Sequence, residues 1–134
     1  MDASELRFRQ IVDSIPGLVH TMTAAGEVEF VNQQVLDFTG ATLEELKKDW
    51  APLIHPDDRA RVLEMWNRSV ETGQPFEAEH RARRADGSYR WLHSRGLAMR
   101  DSEGRIVRWY NLEIDIDERK RADERLAEAF NRNP

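Results

Sequence analysis

The sequence contains no cysteine in its 134 residues. This absence excludes disulfide bonds, thiolate metal ligands and thiol chemistry, and it leaves the cellular compartment undecided. Long apolar segments are missing too, since no run of about 18 apolar residues occurs. No basic stretch followed by an apolar one stands at the N-terminus. We therefore expect no segment that spans or crosses a membrane, and we expect a cytoplasmic location.

Positive charge is in short supply. The 20 lysines and arginines face 25 aspartates and glutamates, which gives a net charge of −5. This balance argues against nucleic acid or an anionic membrane as the main partner. A hydrophobic fraction of 40% with 34% charged residues is ordinary for a globular domain. The length suits one domain that buries a real core and carries short helical extensions.

The order of predicted elements indicates an α+β fold with one antiparallel sheet and its helices on one face. An N-terminal helix ends at Pro16-Gly17, and three short helical segments occupy the middle of the chain. Period-two alternation predicts five strands, at Leu18 to Thr23, Val28 to Asn32, Phe76 to Arg84, Tyr89 to Arg100 and Arg105 to Ile114. We divide the chain into an N-terminal flanking helix (1–16), a core (17–116) and a C-terminal exit helix (117–134).

The last strand runs directly into the exit helix. Asp115 or Asp117 can cap that helix, and Glu118 has the capping-box spacing from Asp115. The segment from 118 to 130 consists almost entirely of strong helix formers. This continuity could carry a change inside the domain outward along a rigid element.

Several motifs, in this order and spacing, resemble those of a PAS domain with a PAC motif, the sensory-box type of bacterial signalling proteins. The resemblance covers about residues 5 to 125. The departure is that Asp117 replaces the threonine that usually follows Asp-Ile at the end of the last strand. The matching motifs are Gly26 with Val31-Asn32, Phe38-Thr39-Gly40, Leu53-Ile54-His55-Pro56-Asp57-Asp58-Arg59, Arg83 to Trp91, Asp101-Ser102-Glu103-Gly104, Trp109-Tyr110 and Asp115 to Lys120.

The resemblance implies a sensory module with a small cavity between a five-stranded sheet and its helices. Such a module passes its signal to a histidine kinase (as in a two-component system), a diguanylate cyclase or a transcriptional regulator. Because the exit helix stops at Pro134, we expect the chain to be a fragment of a longer protein with a covalently linked effector. A flavin adduct is excluded by the missing cysteine. The segment 57–73 lacks the usual axial histidine, which argues against haem unless His20 or His80 serves.

Strand alternation together with the resemblance places a set of side chains toward the cavity. We predict that these residues bind a ligand: His20, Met22, Val28, Phe30, His80, Leu92, Ser94, Trp109, Asn111 and Glu113. Glu113 is the most informative, because an inward carboxylate must find a donor or stay protonated. It could simply bond His20, His80 or a helix N-terminus, and His20 could be an ordinary core histidine. In the functional interpretation, Glu113, Asn111 and His20 hold a small polar ligand, cationic or amine-bearing.

Two further functions stay open. A small α+β enzyme would use His20 and Glu113 as an acid–base pair, although the sequence shows neither a nucleophile nor an oxyanion donor. A PAS domain without a ligand would act only as a dimerisation spacer. We expect no metal, since His55 beside Asp57 and Asp58 is typical of a helix cap.

The signal would travel through Asp115, Ile116 and Asp117 to the exit helix. The opposite sheet face carries an apolar patch that water would not favour, made of Trp91, Tyr110, Leu112 and Ile114. We expect the N-terminal helix, with Leu6, Phe8 and Ile11, to cover it. We also expect a homodimer through this helix, the outer sheet face and the exit helix, whose apolar seam consists of Ala122, Leu126 and Ala129 or Phe130.

Overall fold

The computed structural model describes residues 2–132 and contains one five-stranded antiparallel sheet in the order β2-β1-β5-β4-β3. The strands are β1 (Leu18–Thr23), β2 (Val28–Val31), β3 (Phe76–Arg83), β4 (Tyr89–Arg100) and β5 (Ile106–Asp115). The helices are α1 (Ala3–Ser14), α2 (Gln33–Thr39), α3 (Leu43–Lys48), α4 (Pro56–Thr72) and α5 (Asp117–Arg132), with a 3-10 turn at Ala51–Leu53. The predicted α+β architecture is confirmed.

Local signals set the helix bounds. At the start of α3 the side chain of Thr42 accepts from the Glu45 amide, and Glu45 reaches back to Thr42, which is the predicted capping box. The ring of His55 accepts from the amide of Asp57 and caps α4, as expected, with Pro56 in the first turn. α4 ends at Gly73, whose φ of 77° favours glycine.

Strand β2 contains a bulge that reverses the expected orientation of Phe30. Met22 pairs with Val28 and Thr21 pairs with Phe30, so Glu29 is the extra residue between them. An inserted residue switches every later side chain to the other face. Phe30 therefore packs on the outer side, with its ring 5.6 Å from that of Phe8 in α1. The prediction that Phe30 lines the cavity is wrong.

The core lies between the inner sheet face and the helices. Trp109 of β5 is fully buried, and its ring lies 5.2 Å from that of Trp66 in α4. Phe76 of β3 packs edge-on against Trp66 at 5.4 Å. Burying side chains of this size contributes roughly 2–3 kcal/mol each. This aromatic cluster closes one end of the space between the layers.

Asn32 joins three elements at the other end. Its side-chain oxygen accepts from the amides of Val19 and Val35, which caps α2. Its side-chain nitrogen donates to the carbonyls of Val12 and Gly17. Asn32 is completely buried, and all four of these bonds are made to backbone groups, which must be hydrogen-bonded when they are buried. It thereby fixes α1 to the sheet.

The outer sheet face is covered only in part. Phe8 of α1 packs against Tyr110, with a ring separation of 6.3 Å. The cover expected from Leu6 and Ile11 is absent, because both are about half exposed. A row of apolar side chains on the sheet remains accessible, namely Leu97, Met99, Val107, Tyr110, Leu112 and Ile114. Within residues 2–132, no helix is both long and apolar enough to cross a lipid bilayer.

Candidate functional site

A cavity of about 110 Å³ lies between the inner face of the sheet and helices α2 to α4. Most of the predicted site residues line it: His20, Met22, Val28, His80, Leu92, Ser94, Asn111 and Glu113. The remaining lining is nearly all apolar and comes largely from the helices and β2, including Val31, Val35, Phe38, Leu46, Trp50, Ile54, Val62 and Trp66. Alternation along the strands could not identify the helical contributors, because it says nothing about where the helices cross the sheet.

Trp109 points inward as predicted but does not line the cavity. Its indole is enclosed by the aromatic cluster with Trp66. Alternation along a strand predicts which face of the sheet a side chain lies on, but it does not predict whether that side chain borders the cavity. On β2, Val31 takes the place predicted for Phe30, because the bulge returns Val31 to the inner face, where it pairs with His20.

Four polar side chains form a continuous row across the inner face. His20 Nε2 lies 3.1 Å from Glu113 Oε1. Ser94 Oγ donates to Glu113 Oε2 at 2.7 Å, and His80 Nε2 lies 2.9 Å from Ser94 Oγ. His80 Nε2 is also 3.3 Å from Glu113 Oε2. The carboxylate thus receives hydrogen bonds from both of its neighbouring strands and from the edge strand.

The strand register explains this row. Ser94 is directly opposite Glu113, and Leu18 is opposite Glu113 on the other side. His20 and His80 sit on the diagonals, two residues from the direct partners of Glu113 and Ser94. Diagonal neighbours on one face are within reach of long side chains. The sequence therefore brings these groups together from four strands.

The environment shifts the pKa values of two of these groups. Burial disfavours the charged form of Glu113, but the hydrogen bonds and positive charge of His20 and His80 outweigh burial and hold the Glu113 pKa well below its usual value. Burial likewise opposes protonation of His80, but Glu113 outweighs it and raises the His80 pKa. The expected donors for the inward carboxylate are present, and Glu113 is ionised.

Some polar atoms at this end of the cavity lack a partner. These buried atoms are Nδ1 of His20, Nδ1 of His80 and the side-chain oxygen of Asn111. Because Nε2 of each ring faces an acceptor oxygen, Nδ1 of the neutral ring is an acceptor. Buried polar atoms are usually hydrogen-bonded, so the unpaired set marks this end of the cavity as unusual.

A surface cleft adjoins the cavity. It encloses about 270 Å³ between α2 and the ends of β1 and β5. Three residues line both the cleft and the cavity, namely Leu18, Phe38 and Glu113. Asp37 and Asp115 line the cleft but not the cavity. Glu113 therefore lies between the interior and the surface.

Metal binding finds no support in the part of the chain that the structure describes, because no group of three histidine, aspartate or glutamate side chains there could hold a metal ion. His93 bonds Glu77 at 2.9 Å on the outer face, away from the cavity as expected. The exclusion of a flavin adduct and the argument against haem stay predictions.

The junction between β5 and α5 is fixed by Trp91 of β4. The amide of Trp91 donates to Asp117 Oδ1 at 3.0 Å, and the amide of Ile116 donates to the Trp91 carbonyl at 2.9 Å. Asp115 accepts from the Asp117 amide and pairs with Arg90. The carboxylate of Asp115 therefore caps the start of α5 by accepting from the amide of Asp117. The side chain of Asp117, which occupies the position of the usual threonine, accepts from the amide of Trp91.

Sequence comparison identifies the family. A family model described as the PAS fold matches residues 28–111. The chain belongs to the PAS family. Two curated relatives match this PAS domain. The uncharacterized protein y4lL of Sinorhizobium fredii is 34% identical over 129 residues, which are 96% of this chain and 16% of that protein. The peroxide stress-activated histidine kinase mak1 of Schizosaccharomyces pombe is 33% identical over 119 residues, 87% of this chain and 7% of that kinase.

A solved structure agrees with the assignment. The sensory box histidine kinase/response regulator from Burkholderia thailandensis has a TM-score of 0.64 and 28% identity, and the match covers 93% of this chain and 95% of that one. The PAS domain spans less than a fifth of the two curated relatives. It is a sensory module of a signal-transduction protein, which confirms the family and the general function expected from the sequence. Its cytoplasmic location and its division into three segments stay predictions.

Proposed function

We propose that this PAS domain binds a small molecule in its cavity and passes the occupancy of the cavity to an effector through α5. The observation that carries the proposal is the position of the Glu113 carboxylate at the polar end of a largely apolar cavity. Its side chain is 17% exposed, and three neighbouring side chains hydrogen-bond it. Burying a charge is costly, and an apolar residue would fill the space at lower cost. A ligand that contacts the carboxylate would explain why a charged residue occupies this position.

The path from ligand to effector is short. Glu113 lies on β5 only two residues before Asp115, which pairs with Arg90 and caps α5. A ligand that favours one position of β5 would change the bonds that Asp117 makes to Trp91 and Arg121. The ligand acts only through different affinities for the two arrangements. Asp115, Ile116 and Asp117 are thus the proposed relay.

The proposed effector is a histidine kinase, since several of the similar proteins are histidine kinases by name. A diguanylate cyclase or a transcriptional regulator would suit the same relay. We assign no catalysis to the domain itself. His20 and Glu113 are within hydrogen-bond reach of each other, but Glu113 is ionised and already accepts three hydrogen bonds, which suits binding better than proton transfer.

A second copy of the chain is the proposed partner for the outer face. Leu97 of β4 pairs directly with Tyr110 of β5 on that face, and both are exposed. α1 covers only the neighbouring part of the sheet through Phe8. On α5, Leu126 and Phe130 are 71% and 81% exposed. Contiguous exposed apolar surface of this kind marks an interaction site, and a homodimer would bury both surfaces at once.

Native mass spectrometry of the purified chain tests ligand binding. We expect an additional mass that survives gentle ionisation and disappears on denaturation. Met22→Trp, which fills the cavity from β1, should abolish it, whereas Leu97→Trp on the outer face should not. If the protein carries no additional mass, and if cell extracts leave the NMR signals of His20 and His80 unchanged, the domain is a dimerisation spacer only.

A further inference from the structure

At the polar end of the cavity, the atoms with unused hydrogen-bonding capacity are acceptors. An ionised carboxylate accepts about four hydrogen bonds. Glu113 Oε2 receives Ser94 and His80, whereas Oε1 receives His20 alone. One position on Oε1 is therefore open, and the Asn111 oxygen is an unpaired acceptor in a residue that is 6% exposed. A ligand that complements this end must donate hydrogen bonds.

The charge at this end has the same implication. Within residues 2–132, the ion-pair partners of Glu113 are His20 and His80. The charge from α4 that acts on His80 belongs to Asp58, which is paired with Arg81. With both histidines neutral, the end of the cavity carries one negative charge in an apolar surrounding. One positive charge would balance this negative charge, and either a proton or a ligand can supply it.

The surface cleft favours the approach of a cation. Asp37 from α2 lines it, Asp115 from β5 lines it while paired with Arg90, and Glu113 is shared with the cavity. Clefts lined by charges of one sign concentrate ligands of the opposite sign. Phe38 of α2 lines both spaces, as Leu18 and Glu113 do.

We propose that the ligand is a small organic cation with a protonated amine, which passes Phe38 and replaces a proton on His80 as the counter-ion of Glu113. This inference rests on the proposed ligand-binding function and specifies its chemistry. The ammonium group donates to Glu113 Oε1 and to the Asn111 oxygen, and its alkyl part packs against the apolar wall. The proton on His80 leaves to solvent, so total charge in the site is conserved.

The volume limits the size of this cation. A cavity of about 150 Å³ accommodates a six-carbon ring, so 110 Å³ suits roughly four heavy atoms. Propylammonium has that size, and 1-propanol matches its shape without the charge, with one hydrogen-bond donor where the ammonium has three. Propionate presents the opposite charge on a similar carbon chain. These three molecules separate the effect of the ammonium group from that of the shape of the ligand.

Isothermal titration calorimetry of the chain with these three probes tests the proposal. We expect propylammonium to bind about tenfold more tightly than 1-propanol, and propionate not to bind. The affinity for propylammonium should rise between pH 5.5 and 7.5, and the heat should depend on the buffer because a proton is released. Glu113→Gln should lose at least about tenfold in affinity, whereas Glu77→Gln, which alters a similar pair with His93 on the outer face, should not.

The wild-type measurements decide the question even if Glu113→Gln fails to fold. If 1-propanol or propionate binds in the cavity as tightly as propylammonium, or if no proton is released, the cationic assignment is overturned and the proposed sensory function stands. If none of the probes binds and the signals of His20 and His80 do not move, the cationic assignment is overturned as well. In that case the native mass measurement alone decides the sensory function.

Discussion

At the scale of single residues, the polar row shows how one half-buried charge shifts the ionisation of a neighbouring histidine, His80. In Glu113→Gln the pKa of His80 should fall below its usual value of 6.5, because burial continues to oppose protonation while the carboxylate that favoured it is gone. An NMR titration of the imidazole signals measures this pKa. The matched variant Glu77→Gln should leave the titration of His80 unchanged, and a raised His80 pKa in Glu113→Gln would contradict the assignment.

Asp58 is a buried carboxylate, and its contribution to stability should depend on pH. Hydrogen bonds from Arg81 outweigh the effect of burial and lower the Asp58 pKa from 3.8 to about 2. A lowered folded-state pKa stabilises the protein above the unfolded-state pKa, and the effect is lost as the pH falls through the folded-state pKa. Asp58→Asn should therefore cost about 2 kcal/mol at pH 7, and the difference should shrink between pH 4 and pH 2.

Urea unfolding at several pH values checks this prediction. The neighbouring Asp57→Asn is the control, because its carboxylate is 75% exposed and 3.9 Å from Arg81. We expect it to cost less than about 1 kcal/mol at any pH. Equal losses in the two variants would show that the buried pair with Arg81 contributes nothing particular.

At the scale of elements, the start of α5 depends on one side chain. Asp117→Ala removes the acceptor for the Trp91 amide and the partner of Arg121. We expect a loss of about 1–2 kcal/mol and faster hydrogen exchange at Trp91 and through the first turn of α5. Hydrogen exchange followed by NMR or mass spectrometry measures this change.

Two variants make the measurement at α5 specific. Asp117→Thr restores the usual PAS residue, whose hydroxyl can accept from the Trp91 amide, and should recover most of the protection. Asp123→Ala alters an exposed aspartate of the same helix and should leave the exchange at Trp91 unchanged. If Asp117→Ala exchanges like the wild type, the junction is held by the Ile116 backbone bond and not by the side chain.

The bounds of the strands could be predicted from the sequence to within about one residue, but the register between the strands could not. Strand β4 has the predicted bounds, and β5 begins and ends one residue later than predicted. Alternation identified the inner face of four strands, β1, β3, β4 and β5, because no insertion interrupts them there. It failed at Phe30, because a bulge has no composition signal in this sequence. Asn32 was also missed, since its role is to join segments that are distant in the sequence.

At the scale of the whole molecule, the two exposed apolar surfaces predict self-association. Leu126→Asp should weaken the dimer, because it places a charge in the apolar seam of α5. Multi-angle light scattering over a concentration series measures the oligomeric state. Asn131→Asp adds the same charge outside that seam and should have no effect. An unchanged mass for Leu126→Asp would remove α5 from the proposed interface.

The extra residue in β2 has a consequence for how members of this family could evolve. Val28 and Phe30 already oppose the successive residues Met22 and Thr21, so deleting Glu29 would make the alternation of β2 regular and leave the ring of Phe30 outside and Val31 inside. The aromatic anchor of α1 and the wall beside His20 would both survive. A single-codon deletion could thus straighten this edge of the sheet without reshaping the hollow behind it.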